Sequence, residues 1–200
     1  MVDTGDETLH EVTTGPPPPR ERADAARNRA KVLAAAEKLF AGKDARQVTM
    51  DEIARAAGVG RATLYRRYPD PSSVAAALLD EHERRLQQQL LTGPPPLGPG
   101  APAAERLAAF YAAMTDLLER HLHLVLGAET GDARFATGAY GFWRTHVRTL
   151  LADAPDPDAL LEVLLAPLAP EVYQEQRRRG LTQQQITASL AWLSERLLRP

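Results

Sequence analysis

Residues 48–68, VTMDEIARAAGVGRATLYRRY, decide the fold of this chain. Thr49 followed by Glu52 fits the capping box that begins a helix, and Gly58 stands where a helix ends in the left-handed conformation. A second short helix follows, with Leu64 as its inward anchor. Two short helices joined by a tight glycine turn are typical of a helix-turn-helix, whose second helix lies in the DNA major groove.

The second helix leaves a basic, hydroxyl-rich face exposed, whereas an ordinary solvated helix would more often carry Glu or Lys pairs. We expect Arg61, Thr63 and Arg67 at base edges, because Arg pairs with guanine and Thr with a thymine methyl or a polar edge. Thr49 and Tyr65 are expected to hold phosphates. The full set of predicted DNA-binding residues is Thr49, Gly60, Arg61, Thr63, Tyr65, Arg66 (phosphate or base), Arg67 and Tyr68 (packing or phosphate).

This segment resembles the N-terminal domain of the TetR/AcrR family of bacterial transcriptional regulators. The resemblance covers roughly residues 26–80 and rests on T-x-x-x-I-A-x-x-A-G-V from Thr49 to Val59, then T-L-Y at 63–65 and an aromatic at Tyr68. It implies an all-α protein in which an N-terminal three-helix helix-turn-helix DNA-binding domain precedes a helical ligand-binding and dimerisation domain. It also implies a homodimer joined by a four-helix bundle from the last two helices of each subunit.

Charge is distributed unevenly along the 200 residues. Residues 20–67 hold 12 Lys/Arg against 6 Asp/Glu, while the whole chain has a net charge of −2. Positive charge is therefore concentrated where phosphate contacts need it. There is no cysteine, no apolar run of membrane-spanning length, and no signal-like start, so we predict a cytoplasmic protein without a membrane partner.

Three regions follow from the pattern of the chain. Residues 1–22 lack periodicity and contain a proline run, so we predict a disordered arm. Arg20 and Arg22 end that arm and either enter a minor groove or serve as a solvated basic flank. Residues 23–69 form the predicted helix-turn-helix domain, and residues 70–200 the helical ligand-binding and dimerisation domain.

The helices outside the motif are predicted from caps and breakers. They are expected at about residues 24–41, 70–91, 103–127, 139–154, 158–179 with a kink at Pro167 or Pro170, and 182–198. The fourth helix of the chain starts with Asp70 as cap and Pro71 in the first turn. Pro71 replaces the basic residue that is frequent in the family, so a phosphate contact there would have to come from Ser72, Ser73 or the helix N-terminus.

Two leucine-rich stripes near the end of the chain permit two interpretations. They are an oligomer surface or an ordinary buried core, since helical spacing of apolar residues serves both. The residues are Leu160, Leu161, Leu164, Leu165, Leu168, Ile186, Leu190, Leu193 and Leu197.

Aromatic and adaptable apolar residues in the centre of the second domain suggest a small-molecule pocket, although core packing explains most of them equally well. The predicted ligand-binding residues are Phe110, Met114, His121, Tyr140, Trp143 and His146. The histidines are not accompanied by H-E-x-x-H or C-x-x-C spacing, and His121 and His123 would point to different helix faces. We therefore predict no metal site and no cofactor.

Catalytic motifs are absent from the sequence, which contains no G-x-S-x-G, phosphate-binding loop or dinucleotide fingerprint, so an enzyme is not expected. We predict a repressor released from a palindromic operator in double-stranded DNA by an unknown small-molecule effector. The alternatives are a helical small-molecule binding protein without DNA recognition, supported by Pro71 alone, and a transcriptional activator that uses the same sites.

Overall fold

A computed structural model describes residues 19–42, 47–128 and 138–198. These residues form α-helices and short connections, and no strand occurs among them, as the all-α prediction requires. The helices are α1 (Pro19–Gly42), α2 (Met50–Ala57), α3 (Arg61–Arg67), α4 (Pro71–Thr92), α5 (Ala103–Ala128), α6 (Gly138–Leu150), α7 (Pro157–Leu165), α8 (Pro170–Arg178) and α9 (Gln183–Leu198).

The start and the end of α2 are fixed by local hydrogen bonds. The Glu52 N–H donates to the Thr49 hydroxyl at 3.2 Å, and the Thr49 N–H donates to the Glu52 carboxylate at 2.9 Å, which completes the predicted capping box. At the other end, Gly58 has φ 63° and ψ 35°. The N–H groups of Gly58 and Val59 close the helix on carbonyls of its last turn. The turn that sets α3 against α2 is therefore specified by the sequence around it.

The first of two hydrophobic cores lies under the helix-turn-helix. We call this part the head: α1, α2, α3 and residues 71–78 of α4. Leu124, near the end of α5, also packs into this core. Its most buried members are Val32, Leu33, Ala36, Phe40, Val48, Ile53, Leu64, Val74 and Leu78.

The second core lies in what we call the body: residues 79–92 of α4 together with α5 to α9. Helix α5 packs along α9, and the two are joined by a partly buried 2.8 Å hydrogen bond between the hydroxyls of Thr115 and Thr187. The Tyr111 hydroxyl donates to the Leu164 carbonyl at 2.9 Å. Fully buried members of this core include Leu90, Leu107, Phe110, Tyr111, Leu118, Val147, Leu164 and Tyr173.

Three predicted boundaries differ from the observed ones. Helix α1 begins at Pro19, so the backbone at Arg20 and Arg22 is helical and does not belong to an extended arm; the rest of the predicted arm, residues 1–18, lies outside the described residues. Helix α6 ends at Leu150 instead of residue 154. The predicted kinked helix at 158–179 is two helices, α7 and α8, because Pro167 and Pro170 both lack the N–H that would continue the first.

The leucine stripes belong mainly to the core of their own subunit. Leu161, Leu164, Leu165 and Leu168 are at most 8% exposed, and Ile186 and Leu190 at most 7%. Leu160, Leu193 and Leu197 are half-buried against the same core. Of the two interpretations that the sequence allowed, the structure supports an internal core for these side chains.

A membrane-spanning helix would need about 20 consecutive apolar residues. None of the helices within the described ranges has that combination of length and hydrophobicity.

Substitution of two glycines should change stability in opposite directions. Gly58→Ala is expected to lower the free energy of unfolding by about 1–2 kcal/mol, because a side chain at positive φ is strained even where space is open. Gly141→Ala, in α6 with open space around a new Cβ, is expected to raise it by about 0.5–1 kcal/mol. Urea denaturation followed by circular dichroism measures both, and shifts of the same sign would contradict this explanation.

Candidate nucleic-acid interface and ligand cavity

Helix α3 is held by one buried side chain and exposes the rest. Leu64 is 2% exposed and packs in the head core, whereas Tyr65 is 50% exposed. Gly60 precedes the helix as its N-cap without adding a side chain. The remaining predicted contact residues of this helix, Arg61, Thr63, Arg66 and Arg67, are all exposed. The helix therefore presents three guanidinium groups and two hydroxyls to solvent on a short, rigid support.

Arg61 forms an ion pair with Asp51 in the first turn of α2. Both side chains remain substantially exposed, so the pair contributes little to stability, about 0–1 kcal/mol. The guanidinium is held near the start of α2 but stays accessible. Asp51 was not among the predicted site residues, since nothing in the local sequence indicates a contact ten positions away.

Thr49 is exposed but its hydroxyl is already engaged. It accepts the Glu52 N–H and lies 3.0 Å from the Glu52 carboxylate, to which it donates. A phosphate that accepts from this hydroxyl would compete with Glu52 for its single proton. The cap and the predicted phosphate contact thus use the same donor.

Tyr68 packs inward. The residue is 6% exposed, and its hydroxyl is buried without a hydrogen-bond partner among the described residues. The Arg67 guanidinium carbon lies 5.9 Å from its ring centroid. Of the two roles predicted for Tyr68, packing is the one that this arrangement permits, and a phosphate bond from the hydroxyl is not.

The N-terminus of α4 is capped by its own carboxylate. Asp70 accepts the Ser73 N–H at 2.7 Å and the Ser73 hydroxyl at 2.8 Å, and these hydrogen bonds lower the pKa of Asp70. Pro71 occupies the first turn as predicted. An anion at this helix end would meet the Asp70 charge, so a phosphate contact through Ser73 is disfavoured.

Known proteins resemble this part of the chain in sequence. The family model described as "Bacterial regulatory proteins, tetR family" covers residues 32–78, which run from α1 through α3 into α4. This part of the chain, the helix-turn-helix with its neighbouring helices, is similar to the TetR family.

One relative resembles the head of this chain in sequence, and solved structures resemble most of its length in fold. An uncharacterized HTH-type transcriptional regulator of Mycobacterium tuberculosis is 39% identical over 61 residues, which span 30% of this chain and 30% of the relative. The fatty acid degradation regulator FadR from Bacillus halodurans has a TM-score of 0.63 at 16% identity, covering 86% of this chain and 94% of that one. FadR from Bacillus subtilis in complex with stearoyl-CoA has a TM-score of 0.61 at 15% identity, covering 84% and 97%.

These relatives are named as regulators, in agreement with the prediction that the chain is not an enzyme.

A cavity of about 160 Å³ lies in the body, between α4, α5, α6, α7 and the segment before α8. Met114, Tyr140 and Trp143, all predicted ligand residues, line it. Most of the lining is aliphatic, and the carboxylates of Glu83 and Glu162 add polar groups. The aliphatic lining residues are Leu117, Leu118, Val125, Leu165 and Leu168.

The other three predicted ligand residues lie away from this cavity. Phe110 is fully buried, with its ring centroid 5.8 Å from that of Trp143 and 5.3 Å from that of His146. His121 stacks on His82 with ring centroids 4.3 Å apart. The sequence-based choice favoured aromatic residues and missed the aliphatic side of the cavity, because leucines on a core helix carry no signal that separates lining from packing.

Burial and, to a smaller extent, the nearby charge of Arg106 lower the pKa of His146 to about 4. The unfolded chain, in which histidine has a pKa near 6.5, therefore binds more protons than the folded one between about pH 6.5 and pH 4. The free energy of unfolding contributed by this residue is present above about pH 6.5 and is lost as the pH falls.

His146→Gln should accordingly weaken the dependence of stability on pH. Urea unfolding at pH 7 and pH 5 should show a smaller loss for this variant than for the wild type. His123→Gln, at an exposed position, serves as the control and should retain the wild-type loss. An unchanged loss in His146→Gln would show that the buried imidazole is not responsible.

Proposed function

We propose that the protein is a DNA-binding transcriptional regulator whose α3 enters the major groove. The observation that carries this proposal is the exposed cationic face of α3, with Arg61, Arg66 and Arg67 in solvent while Leu64 holds the helix on the head core. Such a face supplies both phosphate contacts and guanine recognition. The match of residues 32–78 to the TetR family supports the same function.

We propose further that the protein acts as a homodimer on a palindromic operator. One helix of seven residues contacts too few bases to be selective, whereas two heads related by a two-fold axis read half-sites about 34–36 Å apart or a multiple of that distance. The last two helices retain apolar surface that a partner subunit could cover. Val172 on α8 is 41% exposed and Trp192 on α9 is 58% exposed, with the Arg196 guanidinium over the indole ring.

Repression relieved by a ligand in the body is the mechanism that we favour. The cavity of about 160 Å³ is near the size of a site for a benzene-sized molecule and smaller than common ligand pockets of about 300–1,000 Å³. A larger apolar ligand would therefore have to push its walls apart. One of those walls is α4, through Glu83, so occupancy would displace the helix that continues into the head. The stearoyl-CoA complex of the structurally similar B. subtilis FadR suggests an acyl chain as the first ligand class to test.

DNA binding should weaken steeply with salt, and two side chains should contribute in different ways. Selection from a randomised duplex pool is expected to enrich a palindrome for the wild type. Arg61→Ala should relax the preference at one position of each half-site, because a base contact is lost. Tyr65→Phe should weaken binding evenly across sequences, because a phosphate contact is lost. Titrations of affinity against salt concentration and sequencing of the selected pools measure these effects.

Arg148→Ala is the matched control, since Arg148 is an exposed arginine on α6, in the body. It should leave both the affinity and the selected sequence unchanged. A salt-independent affinity would remove the phosphate contacts on which the function rests. Identical selection profiles for Arg61→Ala and Tyr65→Phe would contradict the roles assigned to these two residues.

Ligand entry into the cavity should be visible in the fluorescence of Trp143. The chain has two tryptophans, so Trp192→Phe leaves Trp143, on the cavity wall, as the single reporter. Stearoyl-CoA and stearate should each be tested for a saturable change in emission. In the wild type, a bound ligand should also lower the affinity for the selected palindrome, because it favours the displaced state of α4.

Val125→Phe, introduced into the Trp192→Phe protein, should abolish the change by filling the cavity, whereas Val163→Phe, at a position 63% exposed, should not. Saturable binding that is insensitive to Val125→Phe would place the ligand elsewhere. Binding that leaves DNA affinity unchanged would argue against release by this class of ligand.

A further inference from the structure

Three potential metal ligands from distant parts of the chain meet where the head joins the body. Glu37 lies on α1, His82 on α4 and His121 on α5. One ligand atom from each residue lies within 4.8 Å of the other two. The residues are too far apart along the chain to form a recognisable motif, and for that reason the sequence predicted no metal site.

Two buried imidazole nitrogens in this cluster have no hydrogen-bond partner among the residues that the structure describes. They are the Nε2 atoms of His82 and His121, both inaccessible to solvent. The His82 side chain is 9% exposed and His121 is 5% exposed. Nearly all buried polar atoms in proteins are paired, so two orphaned nitrogens side by side require an explanation.

The spacing of the cluster fits a small tetrahedral ion. The His82 Nε2 and the Glu37 carboxylate oxygen are 3.4 Å apart without forming a hydrogen bond. Two ligands about 2.1 Å from a tetrahedral zinc ion are separated by about this distance. His121 sits at a break in α5, with φ −131° and ψ 18°, and its ring stacks on His82 at 24° between the ring planes. The three side chains therefore converge on one small volume.

The electrostatics of the cluster favour a cation that binds neutral imidazole. Neutral imidazole is the form that coordinates metals, and both rings are buried away from water. Glu37 supplies a negative charge. Arg85 and Arg120 oppose a cation here, while Glu81 and Asp116 favour one.

We propose that Glu37, His82 and His121 form a binding site for Zn²⁺. Two imidazoles and one carboxylate are a known zinc ligand set, with the fourth position left for water or another ligand. Imidazole nitrogen selects zinc and its first-row neighbours over Mg²⁺ and Ca²⁺, which take oxygen ligands. The site is separate from the apolar cavity, since none of its three residues lines that cavity.

A bound ion would cross-link α1 of the head to α4 and α5 of the body. It would add three metal–ligand bonds to a junction that already holds the ion pair between Arg29 and Glu81 at 2.7 Å. The functional consequence rests on the proposed function: bound zinc would hold the DNA-binding head at a fixed angle to the body. Zinc binding itself does not depend on DNA binding, so an experiment can disprove one of these two proposals without disproving the other.

The test is metal binding by the full-length chain without an affinity tag and without DNA. Titration with Co²⁺ should produce the visible absorption of a tetrahedral site, saturating at one ion per chain, and Zn²⁺ should displace it. His82→Gln and His121→Gln should each lower the Co²⁺ affinity more than tenfold. His123→Gln, two positions from His121 but exposed, should bind like the wild type.

Glu37→Gln tests the site even where a buried histidine variant does not fold. The Glu37 side chain is 39% exposed, and the substitution preserves its shape, so this variant should fold like the wild type. It should also weaken Co²⁺ binding, with an unchanged circular dichroism spectrum. Zn²⁺ should raise the Tm of the wild type and of His123→Gln but not that of His82→Gln. Absence of Co²⁺ absorption in the wild type, or equal affinity in His121→Gln and His123→Gln, would overturn the proposal.

Discussion

Helix α4 contributes several residues to each of the two hydrophobic cores, and the relation between the head and the body depends on it. Its first half buries Val74 and Leu78 in the head core, and its second half buries Leu86 and Leu90 in the body core. Burial of each leucine stabilises the fold by about 1.5–3 kcal/mol. The helix therefore cannot rotate or slide within one core without a comparable loss in the other. A displacement of α4 in the body would therefore act on the head core in which Leu64 of α3 is buried.

The helix boundaries that the sequence predicted correctly are those set by neighbouring residues. Thr49 with Glu52, Asp70 with Ser73, and Thr182 with Gln185 each form side-chain caps that can be read from a spacing of three. Helix boundaries were predicted less accurately where contacts with other helices influence them. The proline run before α1 indicated an extended arm, yet Pro19 begins the helix, as proline in a first turn can.

The residues of the predicted DNA-binding surface also differ in how far the sequence alone could place them. The exposed face of α3 was predictable, because the helix-turn-helix pattern fixes which side of a seven-residue helix is buried. The Arg61–Asp51 pair and the inward packing of Tyr68 were not, since both depend on how α3 lies against α1 and α2. The meeting of Glu37, His82 and His121 arises only when three separate helices are assembled. Contacts between distant elements carry no local spacing, and so a single sequence does not reveal them.

Leu124 and Val125 are consecutive residues of α5 that belong to different parts of the molecule. Leu124 packs in the head core, whereas Val125 lines the cavity of the body. Their α-carbons are about 3.8 Å apart, the span of one peptide unit. A displacement of the backbone at Val125 would therefore move Leu124 directly, because one peptide bond joins the cavity wall to the head core. A connection of one peptide unit within a helix has few soft dihedral angles that could take up such a movement.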